Sequence, residues 1–205
     1  MATITVLQGW DSAEIIERNF SNLTAEAKVE FADEINKEIY YLTAANDPSR
    51  ITSLVSTSVN EGLNTIALPA GFDTVASHNL GIYKQNDDGS DNEESLALIA
   101  RGSRLEGYRI EGSNFIINSA SSQTFNIYYI PEVATMTQTN LLDIFFVTDK
   151  YREMIKFGLL FKWAEFNRNT IIENNYAVKY ETLKADYLDS ISRTSNVFGM
   201  PDTQY

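Results

Sequence analysis

The hydrophobic period changes twice along this chain, and those two changes constrain the fold more than any other feature. From Thr24 to Ala45 the apolar residues Phe31, Ile35, Ile39 and Leu42 recur on one helical face. Thr24 is placed to cap that helix, with Glu26 in its first turn. Asn46, Asp47 and Pro48 end it, because the residue before a proline avoids helical geometry. From Ile51 to Pro131 the period is two. From Asp149 to Ser192 the helical period returns.

Within the middle stretch, Leu63 to Leu68 reads as a strand that stops at Pro69. Strands at Leu80 to Tyr83 and Ser95 to Ala100 flank a polar loop, Asn86 to Glu94. Tyr108 and Ile110 face one way, Arg109 and Glu111 the other. Gly112, Ser113 and Asn114 supply a turn before Phe115, Ile116 and Ile117. Phe125, Ile127 and Tyr129 alternate with Asn126, Tyr128 and Ile130 up to Pro131. Short strands at regular intervals predict a small antiparallel sandwich or barrel.

The flanks are helical. Met1 to Leu7 alternates like a short strand, and Asp11 with Glu14 predicts a capped helix reaching Asn19. Thr148 or Asp149 caps a helix whose stripe is Tyr151, Met154, Ile155, Leu159, Trp163 and Phe166, interrupted by Lys162. Gly158 in mid-helix marks a close helix crossing. After a break at Asn167 to Asn169, Thr170 and Glu173 form a capping box, and Tyr176, Tyr180, Leu183, Tyr187 and Ile191 make the next stripe. A break that short predicts an antiparallel helical hairpin. Gly199 and Pro201 argue against helix in the last dozen residues. Met136 to Phe146 carries no assignable element.

The expected class is therefore α+β. A helical bundle of the early helix and the C-terminal hairpin carries an inserted β lobe and ends in an extended tail. The boundaries are a helical segment at 1–50, the β lobe at 51–131, the hairpin at 132–193 packing on 24–45, and the tail at 194–205. A chain of 205 residues, 43% of them hydrophobic, can bury roughly 70% of its unfolded surface.

Composition removes several functions. Twenty-eight acidic residues against sixteen basic ones leave a net charge of −12. Gripping nucleic acid needs clustered Lys and Arg, and no basic stripe is present. The chain has no cysteine, so disulfides and Cys-ligated zinc are excluded. His78 is the single histidine, in a turn sequence, so a catalytic triad or a two-His metal site has no material within one chain. No phosphate loop, no serine-nucleophile motif and no zinc-protease motif occurs. Glu165 near Arg168, and Asp186 near Lys184, read as surface charges on helices. No catalytic residue, cofactor or resident metal is expected. The start of the chain lacks a basic, apolar leader pattern, and no run approaches the roughly 18 apolar residues of a membrane helix.

Asn86 to Glu94 is the one stretch rich in oxygen ligands. Calcium would suit it, although Gly89 does not fall where the EF-hand template needs glycine. A solvated hairpin loop is the other reading. The eleven tyrosines and eleven phenylalanines suit core packing. Stacking on single-stranded bases would also need a basic groove. Trp10, Tyr128, Tyr129 and the tyrosines of the last helix also suit an interface.

Four local features, in order, resemble the head-to-tail adaptor (connector, or tail-tubular-A-like) proteins of tailed bacteriophages. They are Ile35-Asn36-Lys37-Glu38-Ile39 within the early helix; Ile66 to Phe72 with Leu68-Pro69 at the strand end; Tyr108 to Gly112 with Phe115 to Ile117, then Ile127-Tyr128-Tyr129-Ile130-Pro131; and Tyr151 to Phe166 with Gly158, followed by the helix around Tyr176 to Tyr187. One residue separates the tyrosine pair from Pro131, a small departure from the family's ending. The resemblance spans residues 24 to 193.

It implies a structural virion protein of the neck, assembled in the host cytoplasm. Twelve copies would form a ring under the portal protein, extend the channel through which double-stranded DNA passes, and offer a platform to the tail or nozzle protein. Trp163, Tyr176, Tyr180 and Tyr187 would be candidates for the ring interface. The last segment would dock into the portal, with Val197, Phe198, Met200, Pro201 and Tyr205 as anchors. Other ring-forming neck components, tail terminators or stoppers, and a calcium-dependent binding module are the alternative expectations.

Overall fold

The structure, a computed structural model, describes residues 2–17, 23–75 and 81–197. Among the described residues it is mixed α+β, with four α-helices and several antiparallel sheets. The chain divides into two compact units. One comprises Met1–Asp47 with Val133–Tyr205, the other Pro48–Glu132.

The first unit opens with β1 (Thr3–Thr5) running directly into α1 (Val6–Glu14). Thr5 and Gln8 build the capping box. The Thr5 hydroxyl accepts from Gln8 N at 3.2 Å, and Gln8 Oε1 accepts from Thr5 N at 3.0 Å. The helix expected at Asp11 thus begins at Val6, Asp11 lies inside it, and the strand expected over Met1 to Leu7 stops at Thr5. The spacing Asp11 to Glu14 imitates a cap, but burial decides. Val6, Gly9, Trp10 and Ala13 all lie on the buried face, which starting at Asp11 would break apart.

α2 (Ala25–Asn46) is capped by Thr24, whose hydroxyl accepts from Ala27 N at 3.2 Å. Its buried line is Val29, Ala32, Ile35, Asn36, Ile39, Tyr40 and Thr43. Phe31 and Leu42, read as part of the stripe, sit half-buried on its flank. β10 (Ile144–Thr148) pairs antiparallel with β1, Thr3 opposite Thr148 and Thr5 opposite Ile144. Asn36 Oδ1 accepts from Phe146 N at 2.6 Å, and Asp33 Oδ1 from Met136 N at 2.9 Å. Polar side chains of α2 thereby satisfy backbone donors of the Met136 to Phe146 stretch that no periodicity revealed.

α3 (Arg152–Phe166) buries Met154, Ile155, Phe157, Gly158, Leu159, Leu160, Trp163 and Ala164. After Arg168, in left-handed geometry at φ 54°, α4 runs from Thr170 to Val197. Asn169 provides the cap rather than Thr170. Its Oδ1 accepts from Ile172 N at 3.4 Å and its carbonyl from Glu173 N at 2.8 Å. The helix continues through Thr194 to Val197, so those four residues are not extended tail. Phe198 to Tyr205, and His78, lie outside the described residues.

In the second unit, β2 (Ser53–Val59) pairs along its whole length with β9 (Gln123–Pro131). On the other side of β9 lie β4 (Phe72–Val75) and β5 (Ile82–Gln85), and β5 pairs with β6 (Asp91–Ser95). A second sheet has the order β3 (Gly62–Ala67), β8 (Asn114–Ser119), β7 (Gly107–Glu111). Their shared core is Val59, Ile82, Phe115, Ile117, Phe125 and Ile127. Two elements differ from expectation. β4 carried no clear alternation. β6 occupies Asp91–Ser95, within the expected loop, and the expected strand at Ser95 to Ala100 is reduced to a single parallel bridge from Leu98 to Tyr108. Asp91 explains the shift, because tertiary bonds described below hold this acidic segment against β9.

Gly107 lies against that bridge. A Cβ there would meet Ile99 Cγ2 at 2.3 Å and the Ala97 carbonyl at 2.6 Å. At Gly158 a Cβ would meet Ile35 Cδ1 and Tyr180 Cε2, both at 3.0 Å. Gly107→Ala should destabilise the protein by about 2–3 kcal/mol, since a backbone atom must move. Gly158→Ala should destabilise by about 1 kcal/mol, the overpacking exceeding a helix-propensity gain of similar size. Urea denaturation followed by circular dichroism measures both. Equal, near-zero effects would show that neither approach is tight.

Candidate functional site

The polar chemistry of the first unit is concentrated on α4. Tyr176 donates to Glu17 Oε1 at 3.2 Å and Tyr180 to Glu38 Oε2 at 3.1 Å, while the Tyr187 hydroxyl meets Thr43 Oγ1 at 2.7 Å. Lys184 bonds Glu38 and Glu181, each at 2.6 Å. Lys162 pairs with Glu34 at 2.7 Å and with Glu165 at 3.5 Å. Burial opposes the charge on both lysines, but their carboxylate partners outweigh it and hold both above the usual lysine value. Glu34 and Glu38, which flank the α2 stripe, thus tie α2 to α3 and α4. Asp186 is not Lys184's partner.

The four aromatics singled out for a ring interface lie inside this unit. Trp163, Tyr176, Tyr180 and Tyr187 are 7%, 9%, 1% and 3% exposed. A helical stripe is equally readable as self-packing or as interface, and here the facing stripes of α2 and α3 cover it. Buried as they are, these four side chains present little surface to another chain. The exposed apolar residues near the α3–α4 turn and the end of α1 are Ile15, Ile16, Phe166 and Ile171. Phe166 still contacts Phe31, ring centroids 5.7 Å apart. Sequence periodicity does not mark Ile15, Ile16 or Ile171, and it places Phe166 in the inward stripe of α3, whereas that residue, the last of the helix, is 59% exposed. A groove of about 230 Å³ lies between the start of α3 and the later part of α4, lined by Tyr151, Met154, Leu183, Asp186, Tyr187 and Ser190. The Tyr151 hydroxyl and Ser190 Oγ, 3.0 Å apart, already bond each other.

In the second unit the sheet face turned away from the core carries a connected network. Asp91 Oδ2 accepts from the Tyr128 hydroxyl at 2.6 Å, and Asp91 Oδ1 from Asn126 Nδ2 at 2.8 Å. Asn126 Oδ1 accepts from Ser56 Oγ at 2.6 Å. Tyr83 stands edge-on to Tyr128 at 6.1 Å. A second cluster centres on Glu106, which bonds Lys84 at 2.9 Å and accepts from Ala120 N and Gln123 Nε2 at 3.2 Å. Burial works against its ionisation, yet these donors keep it below the usual carboxylate value. Both clusters fasten strands together.

The oxygen-rich stretch Asn86 to Glu94 folds on itself. Asp88 Oδ1 accepts from Ser90 N at 2.9 Å and Ser90 Oγ at 2.6 Å, and Asn86 Nδ2 donates to Ser90 Oγ and to the Asp91 carbonyl, both at 3.0 Å. Gly89 supplies the turn at φ 86°. Among the described residues no three His, Cys, Asp or Glu side chains converge as metal ligands, and no helix is long and apolar enough to cross a membrane.

The tyrosines set the pH behaviour. The Asp91 hydrogen bond, then burial, push Tyr128 up to about 12. Burial, then the Glu17 carboxylate, push Tyr176 up to about 12. Burial, then Glu38, push Tyr180 upward as well. Folded values lie above the ordinary value of about 10, so the unfolded chain releases these protons first. The stability they lend is complete below pH about 10 and is lost as pH rises through about 12. Melting curves from pH 8 to 12 should show a steep decline above pH 10, shallower in Tyr176→Phe. A flat profile to pH 12 would contradict this account of the hydroxyls.

No protein-family model and no curated protein matches this chain.

Proposed function

We propose that this protein is a non-enzymatic structural subunit of a tailed-phage neck, a head-to-tail adaptor that assembles as a ring of twelve under the portal protein. The observation that carries the reading is the way the chain is divided. A helix-rich unit made from both ends of the chain leaves at Asp47 and resumes at Val133, with a strand-rich unit between. That division supports the order of elements on which the adaptor resemblance rests. In this reading the four helices act as a bundle and the β unit as a sandwich-like lobe.

A ring requires a heterologous interface that closes on itself. With Trp163, Tyr176, Tyr180 and Tyr187 turned inward, the reading gives that role to exposed apolar residues such as Ile15, Ile16, Phe166 and Ile171. The net charge of −12 suits a channel wall that DNA slides past, since it offers few of the cationic phosphate contacts that release counterions. The segment after Val197, with Phe198, Met200, Pro201 and Tyr205, would hook the portal. The tail or nozzle protein would dock on the opposite side.

Co-expression with the portal protein encoded beside it tests the reading, using light scattering and negative-stain microscopy. Twelve copies per portal ring, with an open central hole, are expected. A second chain ending at Val197 keeps α4 whole and removes only the proposed hook. It should bind the portal at least tenfold more weakly, about 1.4 kcal/mol. No complex with the full chain would move the protein to another neck position, such as terminator or stopper.

A further inference from the structure

β2 and β3 form one side of a bent two-stranded ribbon whose other side is β8 and β9. The ribbon passes from one sheet to the other at Asn60 and Glu61. Val59 is opposite Gln123 on one side of this corner, and Gly62 is opposite Ser119 on the other. β2 and β3 are each the last strand of their sheet. Among the described residues, no backbone–backbone bond links Ser53–Val59 or Gly62–Ala67 to anything but β9 or β8.

The unit's other edges are guarded. β7 is covered in parallel by Ala97 to Ile99, through Ile99 N to the Tyr108 carbonyl at 2.8 Å and Tyr108 N to the Ala97 carbonyl at 2.9 Å. β6 is Asp91-Asn92-Glu93-Glu94-Ser95, three acids in five residues. β4 is four residues long, contains Asp73 and has an irregular register. Charge, shortness and irregularity are the usual means of keeping an edge from pairing. β2 has none of them. It runs seven residues in unbroken register, without charge, glycine or proline. Glu61 is the one ionisable residue from Ser53 to Ala67 in a chain of net charge −12.

The core also stops one strand short here. Ile127 and Phe115 are 1% and 0% exposed, but their cross-strand partners Val55 and Ile66, which pack on the same core, are only half-buried. The β3 edge is partly closed, because Asn64 Nδ2 donates to the Asn60 and Gly62 carbonyls at 2.8 and 2.9 Å. The β2 edge has no such seal.

We propose that β2 accepts an extended segment of a different protein as an added strand. The segment is neutral to basic, with Val, Ile or Thr at alternate positions that cover Val55 and Thr57. Backbone bonds supply the affinity, and the alternate side chains select the partner. A second copy is the poorer occupant, since it would bring another chain of charge −12 to the interface. The proposal does not rest on the adaptor reading, and its test involves no portal.

The test titrates the ¹⁵N-labelled full chain with a capped heptapeptide of alternating valine and threonine with a lysine at each end. A control peptide of the same sequence has every interior amide N-methylated. Amide shift changes concentrated on Ser53–Val59, with binding about tenfold weaker or more for the methylated peptide, are the expected result. Three results would overturn the proposal: no change at millimolar peptide, equal binding of both peptides, or β2 amides already broadened by self-association that dilution reverses. The last would assign the edge to a second copy.

Discussion

Everything in the helical unit depends on how closely the backbone of α3 can be approached. α1 meets it through Gly9, where an added Cβ would lie 3.1 Å from Leu159 and 3.3 Å from Ile155. α2 and α4 meet it through Gly158, where Ile35 and Tyr180 fill the space a side chain would take. These glycines lie inside helices, where they weaken local structure by about 1 kcal/mol each, and close packing offsets that cost. With α3 enclosed, eight of its fifteen residues are buried. The polar tips of α4 must then find partners on α2 and after α1, which is why the tyrosine hydroxyls end on Glu17, Glu38 and Thr43.

The β unit depends on β9 in a comparable way. β9 pairs with β2 on one side and with β4 and β5 on the other. Its core-facing Phe125 and Ile127 anchor the hydrophobic cluster, while Asn126 and Tyr128 on the reverse face gather Ser56 and Asp91. One strand thus organises an apolar layer and a polar one, as strict alternation allows. β6 has little strand propensity of its own and persists because the Asp91 carboxylate is held from β9.

That dependence separates what the sequence discloses from what it hides. α2, α3 and α4, β3, and the strands from β7 to β9 follow periodicity, because each has a face covered by the core. Gly158 was legible as a close crossing because glycine is otherwise disfavoured in mid-helix. Gly9 is not legible in this way, because the Asp11–Glu14 spacing places the helix start after it. β4, β6 and β10 were hidden. They are four or five residues long, and what holds them is distant in sequence: β9 pairs with β4, Asn126 and Tyr128 hold the Asp91 side chain of β6, which itself pairs with neighbouring β5, and Thr3 to Thr5 and Asn36 hold β10. The aromatic stripe of α4 was legible as a stripe, but not as one facing inward. Periodicity gives the direction of a face and not the identity of its neighbour.

Charge placement carries the functional argument further than total charge does. Many of the acids have structural work. Glu34 and Glu38 hold lysines of α3 and α4, Glu106 and Asp91 lock strands, and Asp88 closes its own turn. Such carboxylates are engaged in bonds within the fold. Away from these carboxylates, helix-end residues Ile15, Phe166 and Ile171 and the uncharged β2 edge, Ser53–Val59, are left without a neighbouring element. On a chain of −12, surfaces without charge are where another macromolecule can approach at the least electrostatic cost. Both surfaces are ones that an apolar or extended face of another protein can cover, and the assembly role proposed above requires such surfaces.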